Sequence, residues 1–275
     1  MDWVRRQRGV ALAIVVWFIA GMSLLVAGIV SHARVDTRMT QLHVAKAQAV
    51  AAGDGAIQLM LAERLLRVEP APAGDATLAG HYQLGRSRVS VTLYPAAGLV
   101  NLNTAPQQVL AALFLVVGRL PEDKANMLAD NVVRWRAGFR GPDIAAAHGF
   151  QAIEDLLRVE GMSRTLLDGI RDFIVAGTPG GTGTDWVLAP ATLLQVLEKA
   201  NPGALDDVNS RRQQAAGSVD RASRSMSGMY RADALVNYGE QTWLRRRWVS
   251  VGSTPAGSGL PWRTVRTEPP RVYKQ

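Results

Sequence analysis

The first long pattern in the chain is an apolar one. Residues Val10 to Val30 read VALAIVVWFIAGMSLLVAGIV, 21 residues without a charge. As a helix rising about 1.5 Å per residue, this run covers roughly 30 Å, the thickness of a bilayer's hydrocarbon core. A helix buried in a globular interior carries an apolar stripe and a polar face, whereas this one is apolar all round. Beyond it the apolar residues thin out to helical spacing. Leu42, Ala45, Ala49, Ala52, Ala56, Leu59 and Leu66 recur three, four or seven apart, which predicts an amphipathic continuation over residues 31–68. Gly53 and Gly55 read as a kink, and Glu69-Pro70-Ala71-Pro72 as the end. A continuous helix from Val10 to Val68 would be about 90 Å long.

The period then falls to two. In His81 to Tyr94, Val89, Val91 and Leu93 alternate with Ser90 and Thr92, the signature of a half-buried strand. Gly98 to Asn103 reads as a second short strand leading into Thr104-Ala105-Pro106, with Thr104 as a helix N-cap. Asn101, Asn103 and Thr104 read as turn and cap chemistry. Helices are expected at 107–117, 122–137, 151–158 and 163–175, followed by the linker TPGGTGT over residues 178–184. Ala105-Pro106 through Leu113 and Ala189-Pro190 through Leu197 form a faint internal repeat, each with Pro at a helix start. Met229–Asn237 and Thr242–Val251 read as strands around Tyr238-Gly239-Glu240, 252–259 as a loop and 260–267 as a third strand. The order defines an α+β protein: a long N-terminal membrane-spanning helix, a small antiparallel sheet and an inserted all-helical domain. The expected units are a leader over 1–9, a transmembrane segment over 10–30, its helical continuation over 31–68, strands over 75–103, the helical insert over 104–205 and closing strands over 206–275.

Charge orients the apolar run. Arg5, Arg6 and Arg8 precede it, so the positive-inside rule keeps the N-terminus cytoplasmic and exports the rest as a single-pass protein. The net charge of +8 is otherwise dispersed, apart from Arg211-Arg212 and Arg245 to Arg247, as on a solvated surface. With 275 residues and no cysteine, the chain supports one or two domains and excludes disulfides and thiolate chemistry. The four histidines, His32, His43, His81 and His148, sit in no metal-spaced or nucleophile motif. Glu154 and Asp155 are adjacent on a helix and point apart, as do Asp206 and Asp207. No catalytic centre, cofactor or metal site is expected.

The start of the apolar run has two readings. The basic leader ends at Gly9, and Val10 opens the run with no spacer. This resembles the type III signal cut by prepilin peptidase before the apolar helix, after which the new N-terminus is methylated. A plain signal anchor with a basic flank is the other reading. Two positions depart from the prepilin pattern: Val10 stands where Phe is usual, and Ile14 where a Glu is usual at the fifth mature position. A carboxylate in the bilayer is costly and persists only where a partner exists.

The leader RQRG followed by VALAIVVW, the phrase GLVNLNTAPQQVLAAL (98–113) and FQAIEDLLRVEGMSRTLLDGI (150–170) together resemble GspK, the large minor pseudopilin of type II secretion systems. The resemblance covers about residues 5–175 and is weaker beyond 185. It implies a pilin-like fold, an inner-membrane anchor with the C-terminal domain in the periplasm, processing at Gly9–Val10 by prepilin peptidase, and GspI- and GspJ-like minor pseudopilins as partners. The implied role is structural, nucleating and capping a pseudopilus tip for protein export, with Ile14 leaving no carboxylate to offer a predecessor. Some pseudopilins bind calcium through clustered acidic residues; Asp206-Asp207 is the nearest approach here and is not assigned as a site.

A membrane-anchored DNA-binding protein of the competence type is the alternative, because Glu160-Gly161-Met162-Ser163 resembles a helix–hairpin–helix turn. The second Gly of that motif is Ser163, and Glu160 adds negative charge where phosphate would sit. No nucleic-acid partner is expected. Trp243 and Trp248, flanking Arg245 to Arg247 on a strand, are expected to pack on the long helix, with some of the arginines facing solvent.

Overall fold

The computed structural model describes residues 3–66, 77–138, 149–177, 183–217, 228–238, 241–252 and 260–273. The first element, α1 (Trp3–Leu66), is 64 residues long and extends about 96 Å. It is followed by β1 (Leu78–Leu84), β2 (Ser87–Pro95), β3 (Val100–Asn101), α2 (Gln107–Val116), α3 (Glu122–Gly138), a 3-10 helix (Ile153–Arg158), α4 (Arg164–Ile170), β4 (Ile174–Val175), α5 (Ala191–Ala200), α6 (Ala204–Gly217), β5 (Gly228–Tyr238), β6 (Gln241–Val251), β7 (Trp262–Thr267) and β8 (Arg271–Val272).

Six of the strands form one antiparallel sheet in the order β1-β2-β5-β6-β7, with β8 also pairing β6. The β1–β2 hairpin turns on Gly85-Arg86, and Gly85 has φ 59°, the left-handed conformation such two-residue turns favour. The period-two pattern is realised in β2, where Val89, Val91 and Leu93 face inward. The last turns of α1 lie across this face. Ala49, Ala56, Ile57, Met60 and Leu61 pack with Val91, Leu93, Ala232, Ala234, Val236 and Trp243 in one core.

The helix is continuous through Gly53 and Gly55, so neither glycine breaks it. Gly53 serves close approach instead: a Cβ there would lie 2.8 Å from the Cβ of Arg245, nearer than such atoms come. The expected helix end at Glu69–Pro72 lies outside the described residues. So do 178–182 of the linker, Gly239-Glu240 of the turn, and 253–259 of the loop.

Everything from Ala96 to Gly217 is inserted between two neighbouring strands. The chain leaves the sheet at Pro95, opposite Tyr230 of β5, and re-enters at Gly228. The insert has its own core around Leu110, Leu113, Phe114, Leu128, Phe150, Leu156 and Ile170. The Trp135 ring stacks on Phe150 at 4.4 Å. The helices α2 and α5 of the faint repeat each start behind a proline, Pro106 and Pro190.

The strand read over His81 to Tyr94 is a hairpin of β1 and β2, the helix expected over 151–158 is a 3-10 helix, and four further boundaries differ from the sequence reading. Val100–Asn101 pairs in parallel with Ile174–Val175, so this strand belongs to the insert and not to the main sheet. The same pairing ends the helix expected over 163–175 at Ile170, since the β-branched pair Ile174-Val175 is drawn into a ladder. The N-cap of α2 is Pro106, not Thr104; a proline disfavours helical conformation in the residue before it, so the helix starts after Pro106. The boundary expected between residues 205 and 206 falls inside α6, whose first turn holds Asp206 and Asp207, acidic residues suited to the positive end of a helix.

Candidate membrane anchor and its attachment to the sheet

Every residue from Ala11 to Val44 is exposed, including Ile14, Phe18, Leu24 (78%) and Trp17 (82%). Among the described residues α1 is the one helix long and apolar enough to cross a membrane, with a mean hydropathy of 2.5 over its most apolar stretch. Such a surface in water would be an aggregation hazard far beyond an ordinary apolar patch. Gly9 and Val10 lie within the helical backbone of α1. Past Val30 the helix remains exposed but becomes mixed in polarity. There the Thr37 and Thr40 hydroxyls donate to the carbonyls of Ala33 and Asp36, at 2.7 and 2.9 Å, which satisfies them without leaving the helix.

The helix first meets its own domain at Ala49, and five residues later, at Asp54, the attachment becomes ionic. Arg245 Nε and Nη2 donate to the Asp54 carboxylate at 2.8 and 3.2 Å. Arg247 Nε and Nη2 donate to the same two oxygens, both at 2.6 Å. Two guanidinium forks thus close on one carboxylate, the geometry that gives charge-assisted bonds their strength. Burial pushes the Asp54 carboxyl up, but the bonds and charges of Arg247 and Arg245 outweigh it and hold it below the usual range. The Asp54 bond raises Arg247 in turn. Arg245 also donates from Nη1 to the Glu268 carbonyl at 2.8 Å, tying the chain after β7 to the same cluster.

Alternation along β6 sends Arg246 to the other face of the sheet. Its Nε and Nη2 donate to Asp233 at 2.6 and 2.7 Å, and its Nη1 to Asp172 of the insert at 2.7 Å. Arg271 Nη2 reaches the same Asp172 oxygen at 3.2 Å. Arg231 pairs with Asp233 at 3.2 Å, donates to the Asp172 carbonyl and lies 4.3 Å over the Tyr94 ring, an arrangement of cation–π type. Burial pushes the Asp172 carboxyl up, yet Arg246 and then Arg231 and Arg271 hold it below its ordinary value. The three arginines are therefore buried or half-buried and paired, not directed to solvent. The two tryptophans are five residues apart and so point to opposite faces. Trp243 joins the core under α1, whereas Trp248 enters the core of the insert and donates from Nε1 to Glu268 at 3.1 Å.

The remaining candidates are structural. Asp155 accepts from the amides of Gln151 and Ala152, both at 3.0 Å, and Glu154 pairs with Arg266 and Arg171 at 3.4 and 3.5 Å. Asn101 accepts from the Asn103 amide at 2.9 Å. Asn103 holds the Phe150 backbone at both its carbonyl and its amide, at 2.9 and 2.7 Å. Gly161 has φ 89° in the turn between the 3-10 helix and α4, and Ser163 caps α4 by accepting from Leu166. The flanking Leu156, Leu167 and Ile170 are buried in the insert. Among the described residues there is no group of acidic residues and histidines placed to hold a metal. Sequence reasoning passed over Asp54 and Asp172. The available signal was a single Asp among the alanines and glycines where the long helix meets the sheet, together with three consecutive arginines on one strand.

The geometry defines an α+β protein with one long N-terminal apolar helix, a small antiparallel sheet seated on the far end of that helix, and a helical unit inserted between adjacent strands. No family model matches the sequence, and no curated protein does. Among solved structures, the chain is similar to a chain of the GspK-GspI-GspJ complex of the type 2 secretion system from enterotoxigenic Escherichia coli. The two share 16% identity with a TM-score of 0.46, over 87% of this chain and 99% of that one.

Proposed function

We propose that this chain is a structural, non-enzymatic minor pseudopilin of the GspK type, anchored in the bacterial inner membrane with its folded part in the periplasm. The observation that carries the reading is that one helix does two jobs. Its first half carries an apolar run uncharged over 21 residues and exposed from Ala11 to Val30, and its last turns form the buried centre of the sheet domain. An anchor built as the spine of the fold, rather than tethered by a flexible linker, transmits any displacement of the membrane segment directly to the domain. That suits a subunit which acts by being assembled with others. The charge pattern of the leader favours a cytoplasmic N-terminus, and Gly9–Val10 is the expected prepilin cleavage and methylation site.

On this reading partner helices associate with α1, and GspI- and GspJ-like pseudopilins are the partners. Ile14 supplies no carboxylate to a preceding subunit, and the insert adds bulk beyond the sheet; both suit a tip position. Co-expression with two such partners tests it. A tagged full-length chain should co-purify both from membranes as a stoichiometric complex, and replacing the 10–30 segment with a Leu-based membrane helix should weaken capture. Recovery of the chain alone in both cases would contradict the proposal.

A further inference from the structure

The sheet domain and the helical insert share little apolar surface. Among the described residues, the core of the insert takes in one side chain from the main sheet, Trp248, with Met229 packed at its margin. The chain leaves the sheet at Pro95, opposite Tyr230 of β5, and re-enters it at Gly228, two residues along β5 from that partner. Gly228 has φ 100°, a conformation that glycine adopts freely. Two adjacent crossings with a small apolar contact make a hinge, and units joined in this way move unless something else fixes them.

What fixes them here is mainly ionic, with one added bond from Arg231 of β5 to the Asp172 backbone carbonyl. Arg246 of β6 reaches Asp172 of the insert at 2.7 Å, and Arg271 of β8 reaches it at 3.2 Å. Arg266 of β7 pairs with Glu154 at 3.4 Å, and Arg171 of the insert with Glu268 at 3.9 Å. The sheet side of the main contact is rigid, because Asp233 of the neighbouring strand grips Arg246 through two further bonds. Arg246 is 2% exposed, so its guanidinium has no alternative bath of water to bond with.

We infer that the Arg246–Asp172 contact, supported by Arg271, is a latch that holds the insert in one orientation against the spine-bearing sheet, and that opening it frees the insert to swing about Pro95 and Gly228. The inference rests on this geometry alone and stands whether or not the chain is a pseudopilin. It gives the molecule two arrangements differing in where the helical insert lies relative to the membrane helix, and the ionic contact sets which one is populated.

The chain contains no cysteine, so spin labels can be placed at will. Ala51→Cys on α1 and Asn126→Cys on α3 are both exposed positions. Electron–electron distance measurements on the full-length chain in nanodiscs should give one narrow distance population. Asp172→Asn and Arg246→Gln should each add a second population at a different distance while the protein still melts cooperatively. Leu110→Ala, in the insert core, should lower the melting temperature and leave the single distance unchanged. An unchanged distance in Asp172→Asn, with cooperative melting, would overturn the latch; so would two populations in the unsubstituted latch. If Arg246→Gln does not fold, Asp172→Asn and Arg271→Gln decide the matter.

Discussion

Asp54 and Arg247 meet through two parallel hydrogen bonds of 2.6 Å each, joining the spine helix to a strand 193 residues further along the chain. Arg245 grips the same carboxylate from two residues away. The cluster carries two positive charges for one negative, and removing the negative one leaves the arginines to repel each other on a half-buried face. Asp54→Asn is expected to destabilise the domain by about 1.5–3 kcal/mol, the range for hydrogen bonds to charged groups. Chemical denaturation of the detergent-solubilised chain measures it. A change under about 0.5 kcal/mol, the scale of ordinary surface substitutions, would show that the pairing contributes nothing.

Gly53 is expected to tolerate no larger side chain. With Arg245 so close to the site of its absent Cβ, Gly53→Leu should lift α1 off the sheet and cost about 1–3 kcal/mol, as overpacking does. The same change at Gly21, which has nothing within 4 Å, should leave the unfolding midpoint of the sheet domain unaltered. Equal effects at the two positions would contradict the close-approach explanation.

Acid should loosen the molecule. Asp54 and Asp172 are both held below the ordinary value of 3.8 in the folded chain, so near that value the unfolded chain binds more protons than the folded one. Their contribution to stability is complete above about pH 5 and is lost as pH falls through 3.8 toward the folded values. Denaturation midpoints measured from pH 7 to pH 3 should drop at the acid end, and the drop should shrink in an Asp54→Asn, Asp172→Asn double variant. A wild-type midpoint that rises on acidification below pH 5 would contradict the assignment.

Trp243 and Trp248 serve different cores, so their losses should be independent. Each change to Ala should cost about 3–5 kcal/mol. The pair lie about 16 Å apart along the strand, and their effects should add within about 0.5 kcal/mol. A coupling well beyond that would mean that the two cores are one.

Much of this architecture was legible in the chain. The apolar run follows from its unbroken lack of charge, while the helical continuation beyond it, the alternation of β2 and the positions of β5, β6 and β7 follow from local patterning, because each of these elements buries a face whose period is written in its own residues. The errors lie where a distant partner decides. Gly53 reads as a helix breaker until Arg245 is seen against it, and Val100–Asn101 reads as a sheet strand until Ile174–Val175 claims it. The arginines of β6 look solvent-bound because their acceptors, Asp54, Asp233 and Asp172, are spread across the chain. Trp248 reads as a second contact to the long helix, although its odd separation from Trp243 requires the opposite face.

The central claim is that α1 is a processed, membrane-embedded spine. Intact-mass spectrometry of the chain purified from membranes, with and without a co-expressed prepilin peptidase, tests it most directly. The account predicts that the peptidase yields a species beginning at Val10 with a methylated amine, while its absence leaves Met1 to Gly9 attached. Retention of the leader in both preparations, or cleavage after the apolar run, would contradict it.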